Sequence, residues 1–220
     1  MAAGRLTQAL DVMSSRTDWY RNTEWNDAIA ADFAARLSRA RRKEQYIRIR
    51  ASYLVCTHPK AALALLDQYF RLNDKFDHAP AFVARAEAFL ALGKVSEALT
   101  SYEAALNRET EFPNLKTLAY VEYPYLIATR GISSHYQRAL DVLERRKDDL
   151  TFPANHFMWH AARAIIQSAL GVLEEARVEA RAALEAAARD HSGFRHHPRI
   201  DLVSERHAEA LRRLNAFNDA

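Results

Sequence analysis

Two histidines of this 220-residue chain have a spacing that could bind a metal ion. His156 and His160 are one helical turn apart, so two imidazoles could bind one divalent ion. The stretch that contains them, NHFMWH, lacks the glutamate that follows the first histidine of the zinc-protease motif. A small metal-dependent enzyme around His156 and His160 is one interpretation. Packing of His160 in the place of an aromatic residue is the other.

A second group of histidines lies near the end of the chain, in a predicted loop. His191, His196 and His197 occur there, with Asp190 and Asp201 close in sequence. A metal site needs at least three protein ligands at suitable spacing, and neither group supplies a third at a defined position. We therefore expect no bound metal and no cofactor.

Other motifs of catalysis are missing from the sequence. There is no glycine-rich phosphate loop, no Gly-x-Ser-x-Gly turn and no cysteine and histidine at a recognisable spacing. Cys56 is the only cysteine, so no intramolecular disulfide can form, which favours a reducing compartment. We interpret Cys56 as a small packing residue and the protein as a non-enzyme.

The most basic stretch is RLSRARRKEQYIRIR, from Arg36 to Arg50, with seven basic residues and one acid. Such a stripe could contact phosphates, and Tyr46 could stack on a base. A solvated helix face is the alternative, and the net charge of +3 is small for a nucleic-acid-binding protein. The nucleic-acid hypothesis uses five residues of the run: Arg39, Arg41, Arg42, Arg48 and Arg50.

The composition predicts a helical protein. Apolar residues make up 49% of the chain, and five glycines with six prolines leave few turns for an all-β fold. No run approaches the ~18 consecutive apolar residues of a membrane span, and the first residues lack the apolar core of a signal peptide. We therefore expect a cytoplasmic protein with no membrane partner.

An internal repeat organises the middle of the chain. Residues 84–109 align without a gap with residues 162–187, at an offset of 78, twice a period of about 39. The alignment pairs Ala91-Leu92-Gly93 with Ala169-Leu170-Gly171. Each copy is interpreted as two helices around a glycine turn, with small residues where the helices approach closely.

This pattern resembles the tetratricopeptide repeat. The first copy matches that motif at seven positions: Phe82, Ala86, Phe89, Gly93, Ala98, Tyr102 and Ala105. The second copy departs from it at His160, Gln167 and Ala180. The resemblance implies an all-α fold, an α-α superhelix of stacked helical hairpins with about ten helices.

The predicted organisation is one helical-repeat domain over residues 19–220. Residues 19–43 form an N-terminal capping helix, residues 44–189 about four hairpins and residues 199–217 a C-terminal capping helix. Terminal capping helices are expected because an end repeat otherwise exposes its apolar face. Residues 1–18 are expected to be flexible or to fill the groove of the superhelix.

Three tyrosines surround a proline in YVEYPYLIATRG, residues 120–131. The repeat register assigns Tyr120 and Tyr123 to packing between helices and Tyr125 to the groove, while Pro124 distorts the first helix of this hairpin.

The resemblance also implies which residues line a concave groove. The expected groove residues are mostly apolar: Ile47, Leu54, Val83, Glu87, Leu90, Val121, Tyr125, Met158 and Ile165. Large apolar concavities seldom stay exposed, so we expect the groove to be filled by a partner peptide, by the N-terminal segment or by a second copy. The leading hypothesis is a non-catalytic protein-interaction module that binds an apolar or amphipathic segment.

Overall fold

The structure is a computed structural model that describes residues 19–72 and 76–218, and helices are the only regular elements in that part of the chain. The all-α prediction is confirmed for these residues. The predicted N-terminal segment, residues 1–18, lies outside them. No described helix combines the length and the apolar composition needed to cross a membrane. Ten α-helices follow one another in the described ranges: α1 Asp27–Ser38, α2 Lys43–Leu54, α3 Pro59–Phe70, α4 His78–Ala91, α5 Val95–Glu111, α6 Ala119–Arg130, α7 Tyr136–Arg145, α8 Pro153–Ala169, α9 Leu173–Ala187 and α10 Ala208–Asn218.

Helix α1 is shorter than the capping helix predicted over residues 19–43. It begins after Asn26, whose side-chain oxygen accepts a hydrogen bond from the backbone N–H of Ile29. It ends at Ser38, whose hydroxyl donates to the Ala35 carbonyl at 2.8 Å. A hydroxyl that bonds a nearby carbonyl competes with the helical ladder, and a new helix starts at Lys43.

Two compact units divide the chain, and the first comprises residues 1–117. In this unit, α2 and α3 form one helical hairpin and α4 and α5 form a second, with α4 packed against both helices of the first. Helix α1 packs on α2 through Phe33 and Leu37. The core of this unit is built from Ile47, Leu54, Leu66, Tyr69, Ala81, Ala84 and Ala88.

The second unit comprises residues 118–220. Helices α6 and α7 form one hairpin, α8 and α9 form another, and α6 packs on α8. Helix α10 packs against α9 and α8. Tyr120 and Tyr123 are buried, as the sequence predicted, and α6 continues through Pro124.

Glycine turns join the helices of three hairpins. Gly93, Gly131 and Gly171 have φ values of +73°, +66° and +80°, the left-handed region that a Cβ disfavours. The sequence predicted this conformation for Gly93 and Gly171. The alanines predicted to lie at close helix approaches are also buried: Ala86, Ala98, Ala105, Ala164, Ala176 and Ala183.

Candidate binding site

Most residues predicted to line a groove are part of the core instead. Five of the nine have at most 8% of their surface exposed: Ile47, Leu54, Val121, Met158 and Ile165. They are not an open binding surface, and the prediction is corrected for them. The alanine-rich helices approach closely enough for these side chains to pack inside. Val83, Glu87, Leu90 and Tyr125 are half-buried.

In the second unit, the C-terminal segment covers the side of α6 that carries Tyr125. The imidazole of His207 lies between two rings, with centroids 6.1 Å from Tyr125 and 5.3 Å from Phe157. Arg213 donates to the carbonyl of Thr129, near the end of α6, at 3.0 Å. The capping helix predicted over residues 199–217 begins only at Ala208, and His207 just before it contacts the predicted groove residue Tyr125, which the repeat register did not indicate.

The environment of this contact favours neutral forms of both rings. Burial, followed by the negative charge of Glu209, raises the pKa of Tyr125 to about 12, although Arg206 and Arg213 oppose the rise. Burial and the neighbouring Arg206 lower the pKa of His207 to about 4. Arg206 Nε lies 3.2 Å from His207 Nε2, which must be unprotonated to accept this hydrogen bond.

The candidate metal pair lies on α8, but one of its rings is engaged by a carboxylate. His160 Nδ1 lies 2.6 Å from Glu179 Oε2 on α9, and Arg163 Nε donates to Glu179 Oε1 at 2.6 Å. Burial, Arg189 and His160 lower the pKa of His156. No cluster of three or more possible ligands occurs in the described part of the chain, including the loop with His191, His196 and His197.

Glu179 on α9 bonds His160 and Arg163 on α8, and we call these contacts the clasp between the two helices. Burial alone would raise the pKa of Glu179, but hydrogen bonds from His160 and Arg163 outweigh burial and lower the pKa. The Arg163 guanidinium also stacks over the Trp159 ring at 4.6 Å. His160, which the sequence predicted to pack in the place of an aromatic residue, joins α8 to α9 by a polar contact.

Two of the five arginines proposed for nucleic-acid binding have structural roles. Arg50 is fully buried, and Arg48 pairs with Asp77 at 2.9 Å. Residues Arg39, Arg41 and Arg42 are exposed in the turn between α1 and α2. The predicted stripe is therefore reduced to a single turn, because positions 47, 50, 51 and 54 of α2 face the core.

Arg50 holds the segment that precedes α1. Its two terminal nitrogens donate to the carbonyls of Asn22 and Glu24 at 2.6 and 2.8 Å. Its guanidinium lies over the rings of Trp25 and Phe33, at 5.0 and 5.8 Å from their centroids. Burial lowers the pKa of Arg50, although the group stays cationic at neutral pH. Arg50 thus fixes the position of Trp25.

Trp25 forms one wall of an open cleft of about 400 Å³ in the first unit. We call it the α1–α3 cleft, because most of its walls come from those two helices. Its volume is within the range of ligand pockets, roughly 300–1,000 Å³. The lining has six apolar residues, two neutral polar residues and one cation: Trp25, Ala30, Phe33, Ala34, Leu37, Ser38, Lys43, Leu65 and Gln68.

Sequence reasoning missed this cleft, although a signal for part of it was present. Phe33 and Leu37 recur at a helical interval and mark the apolar face of α1 in the sequence. Phe33 and Leu37 are buried, while Ala34 beside them is exposed and Ala30 half-buried. Small side chains next to large ones leave space on a helix face, and the partner wall from α3 could not be inferred without the fold. Cys56, predicted to pack, is exposed.

Comparison of the chain with protein-family models, curated proteins and solved structures found no match.

Proposed function

We propose that this protein is a non-catalytic interaction module that binds an apolar or amphipathic protein segment in the α1–α3 cleft. The observation that carries the proposal is the apolar lining of a half-open cleft beside a buried aromatic cluster. Interaction sites combine such apolar walls with a few polar groups that fix orientation. Ser38, Lys43 and Gln68 are those groups here.

The hairpin organisation supports the same class of function. We propose that the hairpins are of the tetratricopeptide type, since two copies share the small residues and the turn glycine of that motif. Stacked helical hairpins present surfaces suited to protein segments. We also propose a cytoplasmic location, because the single thiol, Cys56, is exposed and unpaired with another cysteine.

The two alternative functions have less support. Nucleic-acid binding would depend on Arg39, Arg41 and Arg42, since Arg48 is paired and Arg50 is buried. Metal-dependent catalysis at His156 and His160 would lack a third ligand, since no group of three possible ligands occurs among the described residues. Neither alternative accounts for the α1–α3 cleft.

A substitution that fills the cleft tests the proposal. Helical peptides displayed on phage would be selected on the full chain, and their affinities measured by fluorescence anisotropy. Ala34→Trp places a large ring in the cleft, and we expect a loss of at least about tenfold in affinity. Ala35→Trp is the matched control, because Ala35 is also exposed on α1 but does not line the cleft.

Circular dichroism would establish that both variants keep the helicity and melting temperature of the parent chain. Selected peptides that bind both variants and the parent chain equally well would show that the cleft is not the binding site.

A further inference from the structure

The α1–α3 cleft extends along two turns of α1. Four of its lining residues, Ala30, Phe33, Ala34 and Leu37, recur at intervals of three and four on α1. They span two turns, about 10 Å at 1.5 Å per residue. Leu65 and Gln68, three residues apart on α3, line the other side. A third helix lying between α1 and α3 would place side chains at matching intervals along both walls.

Basic residues border one end of this cleft. Ser38 and Lys43 both line it, and the residues between them form the turn from α1 to α2. Within positions 39–43, four side chains are cationic and exposed: Arg39, Arg41, Arg42 and Lys43. We call these four the basic turn.

The basic turn has no acidic partner among the residues that the structure describes. None of its four side chains makes a hydrogen bond or ion pair with any residue of the described chain, whereas Arg36 on α1 pairs with Asp32 at 2.9 Å. Four like charges within five positions repel one another, and an acidic ligand would relieve this repulsion. The charges are therefore available to a ligand in the cleft.

Resting on the proposed function, we propose that the ligand of the α1–α3 cleft is an acidic amphipathic helix of a partner protein. Its apolar face packs against Trp25, Ala30 and Ala34, the half-buried and exposed apolar residues of the lining, and carboxylates beside that face meet the basic turn. The apolar contacts supply most of the affinity. The charges select acidic partners and fix the direction in which the helix lies.

Other anionic ligands fit the site formed by the α1–α3 cleft and the basic turn less well. A nucleic acid would use the basic turn and leave the apolar walls empty, because its charged backbone cannot enter an apolar cleft. An anionic membrane would contact exposed groups, whereas Phe33 and Leu37 lie at the bottom of the cleft with 3% and 6% of their surface exposed.

Two designed peptides test the ligand class. The acidic peptide is a 20-residue helix with leucines at intervals of three and four, and with four glutamates beside the leucine stripe. In the neutral peptide, glutamines replace the glutamates. We expect the full chain to bind the acidic peptide at least about tenfold more tightly at 50 mM salt, and this preference to fall below about threefold at 300 mM salt.

Changing the basic turn to glutamine should remove the preference for the acidic peptide. The variant carries Arg39→Gln, Arg41→Gln, Arg42→Gln and Lys43→Gln together, and it should bind the acidic and the neutral peptide with equal affinity. A matched control carries the same charge change at four exposed arginines of the second unit: Arg181→Gln, Arg195→Gln, Arg199→Gln and Arg212→Gln. The control should keep the preference.

The outcomes separate this inference from the proposed function. Equal binding of the two peptides, with both lost in Ala34→Trp, would overturn the acidic ligand and leave the cleft as the binding site. If Ala34→Trp weakened the binding of neither peptide, both the proposed function and this inference would be overturned. Tighter binding of a single-stranded oligonucleotide, or of vesicles with anionic lipid, than of the acidic peptide would also overturn the inference.

Discussion

Three polar side chains of this protein are held by partners far away in the sequence. Arg50 bonds carbonyls of the segment before α1, His160 bonds Glu179 on the next helix, and His207 lies between rings of two other helices. Each is buried or half-buried, and each is held by hydrogen bonds or ring contacts that the residue type alone does not predict. Their roles are therefore structural, and they can be tested as such.

The buried imidazole of His207 predicts that stability falls with acid. Its pKa is about 4 in the folded protein, below the ordinary value of 6.5, so its contribution is fully present above pH 6.5 and decreases as the pH falls towards 4. The free energy of unfolding should fall by about 2 kcal/mol between pH 7.5 and pH 5 through this residue. Urea denaturation at the two pH values measures it.

A pair of variants isolates the contribution of His207 to this pH dependence. His207→Gln should lower stability at pH 7.5 but remove most of the further loss at pH 5. His191→Gln, at an exposed histidine, should keep the parent's pH dependence. If the parent chain and the His207→Gln variant lost equal stability between pH 7.5 and pH 5, the pH dependence could not be assigned to His207.

For a single residue, Arg50 shows how much of its role could be predicted from the sequence. Its place in a run of arginines indicated a nucleic-acid contact. Its spacing from Ile47 and Leu54 puts it on the same face of α2 as those two residues, and the structure buries that face, which was predicted to line a groove. The acceptors that make burial tolerable, the carbonyls of Asn22 and Glu24, lie 26 residues or more away and follow only from the fold.

Among the elements, the hairpins were the most predictable feature. The offset of 78 between the two repeat copies located α4–α5 and α8–α9, because small residues and a turn glycine are local requirements. The end of α1 and the contact of His207 with Tyr125 were not predicted. Both depend on contacts between segments distant in sequence, and one apolar stripe cannot specify which neighbour covers it.

The clasp between α8 and α9 predicts a measurable loss of stability. Glu179→Gln removes the charge that accepts hydrogen bonds from His160 and Arg163, and it leaves the Arg163 cation partly uncompensated. We expect a destabilisation of about 1–3 kcal/mol in urea denaturation. Glu185→Gln, at an exposed position of α9, should change stability by less than about 0.5 kcal/mol.

A double-mutant cycle with His160→Gln distinguishes a clasp from an independent effect of each residue. The cost of the double variant should be smaller than the sum of the two single costs, because each substitution alone already breaks the shared hydrogen bond. Additive costs would contradict the clasp.

In the whole molecule, one short segment, the basic turn, accounts for the positive sign of the net charge. Neutralising the basic turn would change the net charge from +3 to −1, so the rest of the chain has a slight excess of acid. The sequence showed this cluster, but its position beside an apolar cleft required the fold. A local positive field next to an apolar seat attracts an acidic partner before any contact forms.

The kinetics of peptide binding provide the test at this scale. The association rate constant of the acidic peptide should fall several-fold between 50 and 300 mM salt, because the Debye length shortens and long-range attraction is screened. The dissociation rate constant should change less, since the apolar contacts in the cleft hold the bound helix. Stopped-flow fluorescence measures both.

The basic-turn variant should associate slowly at every salt concentration, whereas the control with four arginines changed in the second unit has the same net charge and should stay fast. Equal slowing of the two variants would mean that net charge, and not the basic turn, guides the partner.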